Sequence, residues 1–433
     1  MQQAELIIHN AVQLVTCASS GRPKRGDAMR DVGIIAGGAV AVLDGKFAGV
    51  GASAEILAAF SSEKIIDAEG RVVCPGFVDP HTHIVYAGDR LNEFELKIKG
   101  ADYLEILTGG GGINSTVTQT RAASTEALIE QGLSRLDKML ACGTTTVEIK
   151  TGYGLDTDGE LKMLAVIAEL DKRHAIDIVP TFLAAHAIPL EFKENSEKYV
   201  NLISDTMLSA AWKWFVGSHF YGRVPFFCDV FCEKGAFTLA QSKKILETAK
   251  SLGFKLKAHV DQFTNLGGSR LAIEMGAVSI DHLDAISDEE IALLAKSNTI
   301  GIVIPTENFS AGKTQFANAR KLIESGCVVA LSTDYNPGSA PCPSQPMAMA
   351  IACRYQKLMP SEALNAATIN AAFAIGLGDH AGSIEVGKSA DMLVFDSKDY
   401  REIAAEFGGN LVIDVVKAGK VVRSNAQGHI GKF

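Results

Sequence analysis

No stretch of this 433-residue chain approaches the ~18 apolar residues that a membrane-spanning helix needs. A basic excess is missing too. Lys and Arg number 41 against 50 Asp and Glu, a net charge of −9, so the chain offers no positive field to nucleic acid or to anionic lipid. The opening MQQAELIIHNAVQLV lacks the basic start of a signal peptide and breaks its apolar stretch with Glu5, His9 and Asn10. The eight cysteines show no framework spacing; most lie inside apolar runs, which suits reduced thiols in a cytoplasm. Internal repeats and low-complexity tracts are absent. What survives is a soluble cytoplasmic enzyme of ordinary composition, 47% hydrophobic and 21% charged, with room for one large domain and an appendage.

The two ends of the chain are alike. Residues 4–15, 38–50 and 65–73 are short β-rich pieces broken by glycine, and ADMLVFD at 390–396 and LVIDVVKAGKVV at 411–422 repeat that character. One small sheet domain built from both termini, residues 1–71 and 385–433, is therefore expected. Between them, over residues 72–384, eight apolar β-type runs alternate with helical patterns: 72–83, 144–150, 176–186, 226–233, 255–262, 277–283, 299–306 and 327–334. Strands alternating with helices call for parallel βα units, and eight of them for a (β/α)8 barrel. Two connections, 84–121 and 187–224, are swollen. The second holds an aromatic stretch, Trp212 to Tyr221, which is open between an interface, a lid and an irregular connection.

Catalytic groups of such a barrel sit at the C-terminal ends of the strands. Those ends carry His81 and His83, Glu148, His186, Glu233, His259, His282, Glu307 and Asp334. His81 and His83, two apart on an extended strand, share a face, so both imidazoles can reach one ion. His259 and Asp334 close the fifth and eighth strands, giving a three-nitrogen, one-oxygen set that suits one divalent or trivalent transition metal per chain, zinc or iron. Such a metal acidifies a bound water and polarises a carbonyl, which is hydrolytic chemistry. His282 fits either a satisfied core histidine or a proton-transfer and polarising partner opposite Asp334. His186 suits a substrate contact better than a fifth ligand. GGGG at 109–112 lacks the Lys-Ser/Thr pair of a phosphate loop and is expected to be a flexible active-site loop. Cys228 and Cys232, with no second pair, are expected to be buried thiols.

PGFVDPHTHIVYAGDR at 75–90 resembles the first-strand signature of the amidohydrolase superfamily, metal-dependent hydrolases on a (β/α)8 barrel beside a small β-sandwich. NEFELKIKGADYLEI, GGGGINSTVTQTRAAS, GTTTVEIKTGYGL, LAAHAIP, NLGGS, DHL and STDYNPGSAP are similar to one branch of it. That branch opens the ring of 4-imidazolone-5-propanoate to N-formimidoyl-L-glutamate in histidine degradation. The resemblance implies metal ligands at His81, His83, His259 and Asp334. It implies substrate contacts at Arg90, Tyr103, Tyr153, His186, Asn336, Gly338 and Ser339, with His282 beside the metal. It thus implies a small substrate with a carboxylate tail, no nucleic acid or membrane partner, and leaves room for a homodimer. Two positions depart from the pattern. Where many relatives carry a proton-moving Glu three residues after the third histidine, this chain has Gln262, which cannot titrate but can orient a substrate. Glu307 and Asn308 stand where small or aromatic residues are expected. The competing reading within the superfamily is a deaminase of purine- or pyrimidine-like rings, which needs that Glu. A non-catalytic relative would lack metal ligands, and all four are present.

Overall fold

The computed structural model describes residues 1–100 and 111–424. Tyr103, and the first half of the GGGG run, lie outside the described residues.

Eight parallel strands follow one another around the central barrel: β1 (Phe77–Asp79), β2 (Thr144–Lys150), β3 (Asp177–Ala185), β4 (Phe227–Cys232), β5 (Lys255–Val260), β6 (Ser279–His282), β7 (Ile300–Val303) and β8 (Val329–Leu331). Helices lie between them where the apolar period is that of a helix, among them Thr125–Ala141, Thr157–Arg173, Leu239–Leu252 and Asp288–Ala295. Thr238 with Gln241, and Ser287 with Glu290, open two of these helices as reciprocal capping boxes. β8 and β1 share no ladder; the seam is joined mainly by side chains. Asp79 accepts from Ser332 Oγ and Thr333 Oγ1, each at 2.5 Å, and Gln345 Nε2 donates to the carbonyls of Val78 and Leu331 at 3.1 and 3.4 Å. His83 N donates to Tyr335 O at 2.9 Å above them.

Side chains alternate across a strand, and the inward set changes character along the barrel axis. Val78, Val179, Phe227 and Ile302 fill the bottom together with Ala371 and Ile375 of the plugging helix region. Glu148, Lys150, Asp229, Lys257 and Asp281 form a charged layer above, and the imidazoles lie over that. The apolar bottom supplies burial; the top supplies chemistry.

The run 72–83, taken from sequence as one barrel strand, divides at Gly76. Val72–Pro75 belongs to the terminal sheet, antiparallel to Met392–Phe395 and parallel to Gln13–Leu14, and only Phe77–Asp79 enters the barrel. A Cβ at residue 76 would lie 2.1 Å from Thr145 Oγ1, so glycine is what lets the chain pass from one sheet to the other. The terminal sheet interleaves both ends of the chain, in the order 420–424, 412–417, 392–395, 72–75, 6–15, 34–43 and 46–52, with Ile65–Asp67 added beside Leu6–Val15. Alternation gives it two apolar faces. Leu6, Ile8, Val40 and Val42 pack on one, and Ile7, Ala39 and Ala41 pack with Ile56 on the other.

The aromatic stretch is half helix and half turn. Its first half ends the helix Leu208–Val216, whose Trp212 packs against Phe226 and Phe254 at ring-centroid distances of 6.5 and 5.1 Å, and residues 217–221 form turns. Phe226 and Phe254 immediately precede β4 and β5, so the helix covers the outside of the barrel. No helix among the described residues is long and apolar enough to cross a membrane.

Lys417 ties the terminal sheet to the barrel. Its ammonium lies 2.6 Å from Asp391 of the terminal region and 2.6 Å from Asp177 at the start of β3. Burial alone would raise the Asp177 carboxyl, but His380 and Lys417 outweigh it and hold it at about 2. With a folded value below that of an unfolded Asp, about 3.9, this contribution is complete above that pH and fades as pH falls toward 2. Lys417→Met would remove the shared cation, leaving Asp177 with His380 alone and Asp391 with the Ser389 hydroxyl and Ala418 N–H. It should lower unfolding free energy by about 1–3 kcal/mol, less than for a fully buried pair because Asp177 is partly exposed, read from denaturant midpoints, and flatten the acid dependence in that window.

Candidate active site

Pro80 has no N–H to continue the β1 ladder, so His81 and His83 lie just beyond the strand in an extended segment rather than within it. That segment is held along β2. Thr82 Oγ1 donates to Glu148 O at 2.7 Å, and Lys150 N donates to Thr82 O at 2.9 Å. The two histidines still converge, with Nε2 atoms 3.3 Å apart, and His259 brings its Nε2 to 3.4 Å from that of His83. Asp334 Oδ1 lies 3.6 Å from His81 Nε2 and 3.4 Å from His83 Nε2. A tetrahedral ion with arms of about 2.0–2.2 Å has ligand–ligand edges of about 3.3–3.6 Å. The donor set and the edges both fit a transition metal.

The outer nitrogens settle which way the rings face. His81 Nδ1 meets Asp281 Oδ2 at 2.6 Å, and His259 Nδ1 meets Asp229 Oδ1 at 3.0 Å. A carboxylate on Nδ1 keeps the proton there and leaves a lone pair on Nε2, as metal-ligating histidines require. Lone pairs of His81 and His259 therefore point into one small space, where without a cation they repel. Burial, with nearby charges assisting, also lowers His81 and His83 well below the usual imidazole range and raises the Asp334 carboxyl well above its own. Neutral imidazoles cannot supply the counter-charge that a buried carboxylate needs.

Beneath the cluster, Lys150 donates to Glu148 at 2.7 Å and to Asp229 at 2.8 Å, and lies 3.9 Å from Asp281. Lys257 donates to Pro80 O at 2.8 Å and lies 3.9 Å from Asp281. Despite burial, His259 and Lys150 hold Asp229 well below the usual carboxylate range. His282 and Asp334 have left-handed backbones, φ +85° and +50°, at the ends of their strands. Such conformations are strained for non-glycine residues and persist where surrounding structure imposes them. His282 Nδ1 has no hydrogen-bond partner among the described residues.

The cluster floors a pocket of about 250 Å³. Arg90, Tyr153, His186, Gln262, Asn336 and Ser339 line it. Each is placed by a definable device. Glu160, buried, accepts from the backbone N–H groups of Gly152, Gly154 and Leu155, which shapes the KTGYGL turn around Tyr153. His186 donates from Nδ1 to Gly152 O at 3.0 Å and stacks on His83 with centroids 4.8 Å apart. Glu233, immediately after β4, is a loop anchor: its carboxylate takes the N–H groups of Phe263 and Thr264, next to Gln262. Asn336 folds its own turn, accepting from Gly338 N and Ser339 N at 2.8 Å each.

Arg90 pairs with Glu93 through Nε at 2.7 Å and Nη2 at 2.6 Å, and both side chains are buried. Glu93 also accepts from Gly112 N at 2.8 Å, tying the two ends of the first loop together. Gly338 lies against the guanidinium; a Cβ there would be 2.1 Å from Nη1. Gly338 thus makes space for Arg90, a role that a list of contact positions does not convey.

Sequence reasoning missed Asp229, Asp281, Lys150 and Lys257, and it left Lys313 and Phe263 of the pocket wall unnamed. The signal for the first four was available: charged residues in alternation within otherwise apolar strands, FFCDVFC and KLKAHV, have no cheap burial without partners.

The amidohydrolase family pattern matches residues 233–422, and a second amidohydrolase pattern matches residues 64–109. Among solved structures, a zinc-bound adenosine deaminase from Xanthomonas campestris superposes with a TM-score of 0.72 at 19% identity, over 97% of this chain and 93% of that one. The guanine deaminase of E. coli gives 0.72 at 15% identity, over 97% and 99%. At such identities these share the fold. The imidazolonepropionase of Herpetosiphon aurantiacus is 52% identical over 98% of this chain and 99% of its own length, and that of Chloroflexus aggregans 50% identical over 98% and 100%. Sharing half its residues with these proteins from end to end, the chain belongs to the imidazolonepropionase family of amidohydrolases.

Proposed function

We propose that this chain hydrolyses 4-imidazolone-5-propanoate to N-formimidoyl-L-glutamate, using one divalent or trivalent transition metal, zinc or iron, held by His81, His83, His259 and Asp334. The observation that carries this reading is the convergence of three imidazole nitrogens and one carboxylate, with measured edges of 3.3–3.6 Å, at the floor of a pocket walled by Arg90. Charge supports a cation: the buried carboxylates Glu148, Asp229, Asp281 and Asp334 outnumber Lys150 and Lys257 around the cluster.

Bound there, such a metal acidifies a water and polarises a carbonyl. The chain's own groups do the rest. Asp334 accepts the proton of the attacking water and passes it to the ring nitrogen as the carbon–nitrogen bond breaks. His282, a neutral imidazole facing the same space, donates to the oxygen that gains charge or relays the proton. Arg90 holds the propanoate, since a guanidinium grips a carboxylate with two parallel hydrogen bonds. Tyr153, His186, Asn336 and Ser339 bound the ring and tail, with Tyr103 added only by family resemblance, and Gln262 orients by its amide alone. The deaminase alternative is disfavoured by that same amide, which cannot shuttle a proton.

Elemental analysis of active protein should give near one metal equivalent per chain, and His81→Ala and His259→Ala should each lose it; close to two equivalents would contradict the single-ion site. Asp334→Asn should lower turnover by ~10²–10⁴, whereas Gln262→Ala should act mainly through KM. The reverse pattern would move the base from Asp334. Arg90→Met should cost about 2–5 kcal/mol in kcat/KM for the propanoate substrate with metal content unchanged, and should affect a tail-less imidazolone little. Equal losses on both would take the tail away from Arg90.

A further inference from the structure

The pocket contains a second ion pair that the roles above leave unused. Glu307, in the short helix Pro305–Ser310 after β7, has a side chain only 4% exposed, and both its oxygens lie 3.0 Å from Lys313 Nζ. Both residues line the pocket. Lys313 in turn sits over the Phe263 ring at 4.6 Å, which links the loops after β7 and β5 across the mouth. The excursion is pinned on its far side. Asp284 accepts from Asn308 Nδ2 at 3.0 Å and from Ala317 N at 2.9 Å, and Thr306 Oγ1 donates to Thr333 O at 2.6 Å. Glu307 is therefore held, not loosely draped. An ionised carboxylate has about four acceptor positions, and the one ammonium leaves each oxygen able to accept again.

The substrate chemistry supplies the complement, on the reading proposed above. With the ring carbonyl at the histidine cluster and the tail at Arg90, the N–C–N edge of the ring remains. Arg90, Tyr153 and Asn336 come from the loops after β1, β2 and β8, so that edge faces the loops after β5 to β7. An N–H there needs an acceptor. Among the described pocket residues, Glu307 is the carboxylate that belongs neither to the metal cluster nor to Arg90. We propose that Glu307 is a specificity-determining residue that accepts a hydrogen bond from the amidine edge of the imidazolone, with Lys313 as its positioning residue. The departure at residue 307 is then a built feature of this pocket.

Exchanging one donor for an acceptor tests the contact. N-formimidoyl-L-glutamate and N-formyl-L-glutamate differ by NH against O at the group that would face Glu307. Calorimetric binding of both to the metal-loaded protein should favour the formimidoyl compound by ~100-fold or more, since a site built around a donor rejects its lack strongly. In Glu307→Gln, whose amide accepts and donates, the preference should fall to within about threefold, with metal content and thermal midpoint preserved. If the amide variant does not fold, Glu307→Asp, which keeps the charge beside Lys313 but withdraws the oxygens, should show the same loss. A preference undiminished in either folded variant, or a wild type that does not distinguish the two compounds, would overturn the assignment. Turnover of imidazolone propanoate by the wild type is read separately, and its absence would sink the proposed reaction whatever the binding preference.

Discussion

The constraint on which the rest depends is the crowding of His81, His83 and His259 nitrogens and the Asp334 carboxylate into one buried space with edges of 3.3–3.6 Å. Four polar atoms that close cannot be left dry and uncompensated. Everything beneath them is arranged to make the crowding tolerable. Asp281 and Asp229 fix the outer ring nitrogens, Lys150 and Lys257 keep those carboxylates paired, and Glu148 completes the layer. A buried network of this kind is favourable only when each member is satisfied. Its members come from β2, β4, β5 and β6, so the charged layer also locks the register of half the barrel.

The same need for order explains the seam. β1 ends at Pro80 in order to release the histidine segment, which leaves β1 and β8 without a ladder there. Asp79, buried and accepting from Ser332 and Thr333, replaces the missing backbone bonds and at the same time positions the turn into Asp334. Burial lifts its carboxyl to about 6 against those hydrogen bonds. One side chain thus joins the two strands that deliver three of the four converging groups. Gly76 and Lys417 do comparable work at the other end, where the terminal sheet hands the chain to the barrel.

Much of this was legible in the chain. The eight βα units show because each buried parallel strand is an apolar run followed by a helical period, and the imidazoles show because they interrupt the ends of those runs. Strand boundaries were less legible: nothing in VVCPGFVD distinguishes the piece that pairs with Met392–Phe395 from the piece that enters the barrel, since both are buried and extended. The aromatic stretch was illegible for the opposite reason, because Trp and Phe at helical spacing fit a packed helix, a lid or an interface equally until Phe226 and Phe254 are seen beneath Trp212. Glu233 stands at a strand end as His259 and His282 do, yet it serves the backbone of a neighbouring loop. Residue type and strand-end position find the candidates; only the partner of each lone pair separates a ligand from an anchor.

Arg90–Glu93 and Lys313–Glu307 make the mouth of the pocket electrically symmetrical, one ion pair from the loop after β1 and one from the loop after β7. Their exposures differ in a telling way. The Arg90 and Glu93 side chains are each only 9% exposed, so a ligand meets an arginine whose charge is already shared with Glu93. Lys313 is 31% exposed while Glu307 is 4% exposed, so there the cation faces the entrance and the anion faces inward. An anionic substrate approaching this mouth meets Lys313 first, and only the part of it that can donate a hydrogen bond finds an acceptor deeper in. Attraction at the rim and discrimination in the interior are thereby divided between the two ends of one ion pair, which neither charge alone achieves.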